Sequence, residues 1–174
     1  MKAPAVAVLG AIWLLPASAD ARPLRVLSLD QCADQYALAL APDAELALSP
    51  RADDPDSHLR ALAKGRRQVR PTLEAATTFQ PDVVIRYWGG EPRLLAALER
   101  RGVKTASVED VADFDGVRMN IRRVAEALDR REAGEALIGD MDAKLARGRS
   151  EIGGSALYLT AGGFTAGSGT LIDA

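Results

Sequence analysis

The sequence predicts an α/β fold: a parallel-sheet N-terminal lobe, then a long connecting helix and the start of a second α/β lobe. Apolar, β-rich runs alternate with stretches of helical periodicity as far as Val108, and only short links join them. Such alternation is typical of parallel strands connected by helices. From residue 113 to about residue 149 the helical periodicity continues without proline, which predicts the connecting region. A further β-rich run and a glycine-rich loop follow it.

The individual elements are predicted from local signals at their ends. Asp30 and Thr72 are suited to cap the helices that follow them, and Pro92 and Gly102 bound another helix. The polar run 129–131 interrupts the connecting region as a kink or a short loop. The predicted strands are 24–29, 45–48, 83–85, 103–108 and 156–160; the predicted helices are 31–40, 57–64, 73–79 and 91–101, the connecting region, and a first helical turn at 170–174.

Residues 1–21 have the features of a secretory signal peptide. Lys2 supplies a positive charge, Ala5 to Leu15 form an apolar run too short to span a membrane, and small residues precede a cleavage point after Ala21. A buried N-terminal helix is the alternative interpretation. We therefore expect a periplasmic protein with four parts: signal peptide 1–21, N-terminal lobe 22–112, connecting helix region 113–150, and the start of an incomplete C-terminal lobe at 151–174.

Composition and charge exclude several classes of protein. A net charge of −2 gives no electrostatic basis for binding nucleic acid. The single cysteine, Cys32, excludes an internal disulfide framework. With His58 as the single histidine, the chain has too few nitrogen and sulfur ligands for a zinc site. We expect neither a metal site nor a cofactor, and we expect a monomer.

The most informative stretch runs from Tyr87 to Gly90, directly after the buried strand 83–85. Open α/β sheets bind their ligands beyond the carboxyl ends of their strands, and an aromatic pair there suits a bulky, flat ligand. Successive strand residues face opposite sides, so we expect one ring, of Tyr87 or Trp88, to face the ligand and the other to pack in the core. Gly89 and Gly90 permit a turn with positive φ and close approach of the backbone, and Gly89 is a secondary ligand contact.

Further candidates follow the other strands at the same edge of the sheet. Asp30 is either a ligand contact or simply a helix N-cap, and Tyr36 either reaches the ligand or packs in the core. Arg51 either pairs with a ligand carboxylate or phosphate or is solvated. Cys32, at an apolar helix start, is expected to be small and buried. His58, in a polar loop-to-helix region, is expected to be a solvated surface residue.

These segments together resemble the periplasmic substrate-binding proteins of ABC importers for vitamin B12, ferric siderophores and haem. The resemblance depends on the order and spacing of the segments more than on any one of them. Tyr87 to Gly90 is similar to a Trp-x-Gly-Gly segment of the B12-binding member, with Tyr87 at the place of its tryptophan. The other matching segments are Arg25–Asp30, Cys32–Tyr36, Leu73–Ile85, the helix from about Arg118 to Arg147, and Tyr158–Asp173.

The resemblance implies two α/β lobes bridged by one rigid helix, with the ligand held between them. It implies that Glu91, on the exposed helix after the glycine pair, docks to an ABC permease at the inner membrane, although Arg93 stands nearer to the corresponding position. It places Phe164 in a loop of the second lobe that contacts ligand when that lobe is complete. Some haem-binding members use a tyrosine or histidine as axial ligand, which keeps Tyr36, His58 and Tyr87 as candidates.

We conclude from the sequence that the chain is an extracytoplasmic solute-binding component for a cobalamin-type or iron-chelate ligand, and not an enzyme. Vitamin B12, a ferric siderophore and haem remain open as ligands, and the aromatic-Gly-Gly segment favours B12. A truncated remnant or partner module without a transport role is the main alternative, because a second lobe should need about 100 residues more. An exported enzyme would need a nucleophile–base pair or a metal, which one histidine and one distant cysteine do not supply.

Overall fold

The computed structural model describes residues 22–148 and 157–172. One five-stranded parallel sheet has the strand order β3-β2-β1-β4-β5. The predicted parallel α/β architecture is therefore confirmed. The strands are β1 (Arg25–Ser28), β2 (Glu45–Leu48), β3 (Arg67–Gln68), β4 (Val83–Arg86) and β5 (Lys104–Ser107); the helices are α1 (Gln31–Leu40), α2 (Arg60–Ala63), α3 (Leu73–Phe79), α4 (Pro92–Arg100), α5 (Phe114–Ala127) and α6 (Arg131–Gly148).

Helices cover both faces of the sheet, and the pleat divides the apolar side chains between them. Val26 and Ile85 pack in the core under α1, α5 and α6, whereas Leu27 and Val84 pack under α3 and α4. Alternation of this kind follows from the two-residue period of a strand. Each fully buried aliphatic side chain contributes roughly 1.5–3 kcal/mol, so the central strands β1 and β4 hold both layers together.

Strand β3 is absent from the sequence-based prediction. It comprises Arg67 and Gln68, both exposed, and pairs with Ala47 and Leu48 of β2 at the edge of the sheet. Neither residue is apolar, so no hydrophobic pattern indicates the strand. The pairing depends on where the chain after α2 meets the open edge of β2.

The predicted N-caps are present. The side chains of Asp30 and Thr72 accept hydrogen bonds from the backbone N–H groups of Ala33 and Ala75. Asp113 caps α5 in the same way through the N–H of Gly116. Glu91 occupies the N-cap position of α4 without a capping hydrogen bond from its side chain.

The connecting region expected over residues 113–150 consists of two antiparallel helices, α5 and α6, so of the two alternatives at 129–131 the short loop is present and the kink is not. Asp129 has a φ of 57°, and the backbone N–H groups of Asp129 and Arg130 bond to the carbonyls of Glu126 and Ala125. This left-handed C-terminal cap ends α5 and turns the chain back. The polar run at 129–131 is thus a tight turn, a reversal that the nearly continuous helical periodicity conceals.

Contacts along the hairpin confirm its antiparallel direction. Arg118 pairs with Asp142, and Arg122 pairs with Glu135. A Cβ atom added to Gly134 would lie 2.6 Å from the Cβ of Ala125, so the two helices approach closely at this glycine. The α5–α6 hairpin is therefore a packed unit against the sheet and α1.

The strand predicted at residues 156–160 is not formed where the structure describes it, at residues 157–160. Residues 157–172 consist of turns and irregular backbone, and Thr170 to Ile172 form a turn where a helix was expected to begin. A parallel strand needs a neighbouring strand for its backbone hydrogen bonds. The five strands described belong to the N-terminal sheet, and none of them pairs with this segment.

The predicted signal peptide, residues 1–21, and the segment 149–156 lie outside the described residues. Within the described part of the chain, none of the helices is long and apolar enough to cross a membrane.

Candidate functional site

The candidate site lies at the carboxyl edge of the sheet, where β4 ends and the chain turns into α4. Residues 86–90, which we call the aromatic loop, run beside the start of α1, because β1 and β4 are neighbours in the sheet. The chain leaves β1 toward α1 and leaves β4 toward α4, on opposite faces. This is the switch-point geometry at which open α/β sheets bind ligands.

The two aromatic side chains of the loop have different environments. Trp88 is 62% exposed, whereas Tyr87 is partly buried against the core under α1, α5 and α6. The Tyr87 hydroxyl donates a hydrogen bond to the Asp110 carboxylate, which lies in the loop after β5. Trp88 is thus the ring presented to solvent, and Tyr87 is the ring fixed against the protein.

The hydrogen bond to Asp110, followed by desolvation, raises the pKa of Tyr87. The physical cause is that a phenolate would stand beside a carboxylate and lose its role as donor. The Tyr87 hydroxyl is therefore held in its protonated form.

Asp30 is buried and has hydrogen bonds at both carboxylate oxygens. Oδ1 accepts from the N–H of Ala33 at 2.9 Å. Oδ2 accepts from the N–H of Tyr87 at 2.7 Å and from that of Gly89 at 3.0 Å. The predicted N-cap is thus present, and the same side chain also bonds the aromatic loop, a contact that the sequence does not reveal.

The glycine pair serves the two purposes expected of it, one at each position. A Cβ atom at Gly89 would lie 2.4 Å from the carbonyl oxygen of Leu29, so the loop backbone rests directly on the end of β1. Gly90 has a φ of 98°, which other residues rarely adopt. Arg86 closes the loop from its other side, because its Nε donates to the Gly89 carbonyl at 2.7 Å.

Arg51 is exposed but already paired. Its Nε lies 2.7 Å from a carboxylate oxygen of Asp54, and a second guanidinium nitrogen lies 3.4 Å from Asp56. These acidic partners raise the pKa of Arg51, the hydrogen bond to Asp54 most of all. The structure therefore places Arg51 in its own loop network, where a ligand anion would have to compete with two carboxylates.

The first two turns of α1 hold the loop after β2 as well. Asp34 accepts from the backbone N–H and the hydroxyl of Ser49, at 2.9 and 2.6 Å. Gln31 donates to Asp56 and Ser57, and Gln35 accepts from the N–H of Leu59. The pair Asp-Gln thus occurs twice at helical spacing, and each member anchors a loop at the carboxyl edge. Its repetition at i and i+4 is the signal by which sequence reasoning could have found these residues.

Tyr36 and Cys32 lie one turn apart on α1. Tyr36 packs against the core, and burial raises its pKa. The expectation that Cys32 is buried is wrong: its side chain is exposed, because Ala33 and Ala37 lie on the face of α1 that packs in the core and Cys32 does not. Partial desolvation, and then the charge of Asp30, raise the pKa of the Cys32 thiol, which keeps it protonated.

The remaining candidates lie apart from the aromatic loop or on the surface. His58 and Glu91 are exposed. Phe164 is 76% exposed in the segment 157–172, where its backbone bonds to Thr160. In residues 22–148 and 157–172, no group of three or more histidine, cysteine or acidic side chains could hold a metal ion.

A cavity of about 990 Å³ lies elsewhere, at the open end of the α5–α6 hairpin. Its lining mixes half-buried apolar side chains with charged ones, among them Phe114, Met141 and Asp142. The aromatic loop presents an exposed indole ring on a hydrogen-bonded backbone, whereas this cavity is a wide gap between two helix ends.

No family model and none of the curated proteins matches the sequence. The structural neighbours are periplasmic substrate-binding proteins for haem, vitamin B12 and iron, which confirms the resemblance drawn from the sequence. The periplasmic haem-binding protein RhuT from Roseiflexus sp. RS-1, in its apo form, has 25% sequence identity and a TM-score of 0.62 over 79% of this chain and 56% of its own.

Two further neighbours are similar over a comparable region. The periplasmic vitamin B12-binding protein BtuF of Vibrio cholerae has 26% identity and a TM-score of 0.54, over 72% of this chain and 49% of its own. A periplasmic haem-binding protein from Pseudomonas aeruginosa has 23% identity and a TM-score of 0.58, over 72% and 45%. The chain thus spans about half the length of the solved structures it matches, and these neighbours are binding proteins rather than enzymes.

Proposed function

We propose that this chain is the solute-binding component of an ABC importer, which captures a cobalamin-type or iron-chelate ligand and delivers it to a permease. The observation that carries the proposal is the exposed Trp88 ring on a hydrogen-bonded loop at the carboxyl edge of the sheet. The fold shared with haem- and B12-binding proteins supports it.

Stacking is the contact that Trp88 is suited to make. An exposed indole offers a flat apolar face, and burying it against a ring system contributes roughly 1–3 kcal/mol. The ligand best matched is therefore large and flat on at least one side, such as a tetrapyrrole or corrin macrocycle. The exposed Trp88 ring meets such a ligand without rearrangement of the core, because Tyr87 is the ring that packs against the core.

The environment of Tyr87 favours stacking over metal coordination as the recognition chemistry. Its hydroxyl is engaged by Asp110, and a phenolate ligand to ferric iron would have to form against that carboxylate. A ligand whose metal is already saturated, as in cobalamin, needs no such donor. This argument supports B12 over haem among the candidates.

The rest of the proposal concerns the complete importer component. We place the ligand between this lobe and a second one, with Phe164 as a contact from the second lobe. We assign Glu91 to permease docking, since its carboxylate is exposed at the start of α4 and makes no capping bond to its own helix. Export by residues 1–21 would put the protein in the periplasm.

A fluorescence titration tests the ligand assignment. In a Trp13→Phe background Trp88 is the only tryptophan, so its emission reports the site alone. We expect saturable quenching by one of three ligands, cyanocobalamin, haemin or a ferric siderophore. A flat response to all three would contradict the proposed function and favour the remnant or partner-module alternative.

A further inference from the structure

Asp30 is the most completely engaged polar side chain at the site, and the role of a direct ligand contact does not account for its geometry. It is 2% exposed, and its carboxylate accepts three backbone N–H groups. Burial of a carboxylate away from water costs free energy, and hydrogen bonds from N–H donors such as these offset that cost. Its oxygens point at the backbone of two segments and not at solvent.

The bonds of Oδ2 lie on either side of Trp88. Tyr87 and Gly89 are the neighbours of Trp88 in the chain, and the backbone N–H of each donates a hydrogen bond to Oδ2 of Asp30. The Gly89 carbonyl is held by Arg86 from the other direction. The backbone on both sides of Trp88 is therefore fixed, while its ring remains exposed.

The other oxygen connects this loop to a second element of the site. Oδ1 caps α1, the helix whose Asp34 and Gln35 hold the loop after β2. One carboxylate thus joins the loop after β4 to the helix after β1 across the switch point of the sheet. A loop restrained in this way loses little conformational entropy when a ligand binds.

We propose that Asp30 is a positioning residue of the ligand site, which fixes the Trp88 loop in its binding conformation without touching the ligand. The proposal rests on the proposed function, in which Trp88 is the stacking contact. It replaces the sequence-based interpretation of Asp30 as a ligand contact.

The chemistry of the position explains why a carboxylate is needed. All three neighbours are N–H donors, and a carboxylate offers acceptors on both sides. An asparagine has one acceptor oxygen, so its NH₂ group must face either the Ala33 N–H or the two N–H groups of the loop. Asp30→Asn can therefore keep the helix cap or the loop bonds, but not both.

Two variants in the full chain, both in the Trp13→Phe background, test the proposal. Asp30→Asn is compared with Asp113→Asn, the matched control, since Asp113 caps α5 through one hydrogen bond and has no contact with the aromatic loop. Asparagine and aspartate are about equally good N-caps, so a difference between the variants reports the loop bonds. The readouts are amide hydrogen exchange at Tyr87 and Gly89, acrylamide quenching of Trp88, and affinity for cyanocobalamin and haemin.

For Asp30→Asn we expect exchange at Tyr87 and Gly89 to become about ten-fold faster or more, which corresponds to loss of a charge-assisted hydrogen bond. Exchange in β1 and β4 should stay slow, quenching of Trp88 should increase, and ligand affinity should fall by about ten-fold. Asp113→Asn should leave all of these unchanged. If Asp30→Asn does not fold, Asp30→Ser takes its place, because a hydroxyl retains the cap and lacks the second acceptor.

Unchanged exchange at Tyr87 and Gly89 in both Asp30→Asn and Asp30→Ser would overturn the proposal, because the serine retains the cap and cannot make the loop bonds. A loosened loop that binds ligand with unchanged affinity would overturn it as well. Failure of the proposed function has a different signature, in which the unsubstituted protein binds none of cyanocobalamin, haemin and a ferric siderophore. In that case, amide hydrogen exchange at Tyr87 and Gly89 and acrylamide quenching of Trp88, both measured without ligand, would still decide whether Asp30 holds the loop.

Discussion

The aromatic loop and the segment 157–172 share a glycine-rich, aromatic composition and differ in structure. Each contains a glycine pair and a strongly exposed aromatic ring, Trp88 in the loop and Phe164 in the segment. The loop is bonded to Asp30 at the start of α1, and Val108 donates to the carbonyl of Arg86. Among the described residues, the hydrogen bonds of the segment run between its own members, such as Thr160 and Phe164. An exposed aromatic ring is thus preorganised only where neighbouring elements hold its backbone.

The largest difference between the two regions should be the loss of stability when a glycine is replaced by alanine. Gly89→Ala places a Cβ atom against the Leu29 carbonyl and should destabilise the fold by about 3 kcal/mol, as overpacking against fixed backbone does. Gly167→Ala meets nothing within 4 Å and should be neutral. Urea unfolding measures both, and a Gly89→Ala protein as stable as the parent would refute the close packing of the loop.

Removal of the aromatic rings tests which region binds ligand. Trp88→Ala should reduce affinity roughly 10- to 100-fold, since the stacking area is lost. The free energy of unfolding should hardly change, because the ring is mostly exposed. Phe164→Ala is the matched substitution in the segment 157–172. In the 174-residue chain it should leave the affinity unchanged, because we assign Phe164 a ligand contact only within a complete second lobe. Calorimetric titration with cyanocobalamin and haemin checks both, and a larger loss for Phe164→Ala would reverse the comparison.

Ionisation of the Tyr87 hydroxyl tests the hydrogen bond that joins the aromatic loop to Asp110. Asp110 raises the pKa of Tyr87, so the folded state favours the protonated phenol. The resulting stabilisation is present below the tyrosine pKa of the unfolded chain and is lost as the pH rises through the folded-state pKa.

Asp110→Asn removes the negative charge and should lower the pKa of Tyr87 toward the ordinary tyrosine value. An ultraviolet absorbance titration measures the change, and Tyr87→Phe identifies the signal. A titration curve that Asp110→Asn leaves unaltered would show that the two side chains do not interact in solution.

The smallest effect is expected inside the segment 157–172. Thr160→Val removes the hydroxyl that bonds the backbone N–H of Phe164. Because the bond is exposed and local, the free energy of unfolding should change by less than about 0.5 kcal/mol. Thermal unfolding measures it, and a clear loss of stability would mean that the segment packs on the rest of the protein.

Sequence reasoning found the elements whose signals are local. Asp30, Thr72 and Pro92 identify helix starts by capping chemistry, and the buried runs of β1 and β4 identify the central strands. The aromatic pair Tyr87–Trp88 was recognised as a candidate because two adjacent aromatic residues after a buried strand are unusual. The roles of Asp110 and Arg86 were missed because their partners, Tyr87 and Gly89, are recognised only when strand order is known.

One alternative left open and one error have the same physical origin. The turn at Asp129 leaves the helical periodicity nearly intact on both sides. The hydrophobic pattern of the sequence therefore does not distinguish a reversal of the chain from a kink in one helix. Residues 157–160 have the composition of a strand, but a strand also needs a neighbour to receive its backbone hydrogen bonds. In both cases the deciding contact lies outside the local sequence.

The sequence by itself determined the parallel α/β class, the helix caps, the position of the aromatic loop and the family resemblance, because these depend on periodicity and on residues close in the chain. Only the tertiary structure decided that β1 lies between β2 and β4. That arrangement brings the Asp30 carboxylate to the amides of Tyr87 and Gly89, and it leaves Trp88 exposed while Tyr87 packs inward. These two hydrogen bonds join residues separated by 57 and 59 positions in the chain, and contacts at such separations leave no periodic pattern in the sequence. They form because strand pairing sets which loops meet at the edge of the sheet.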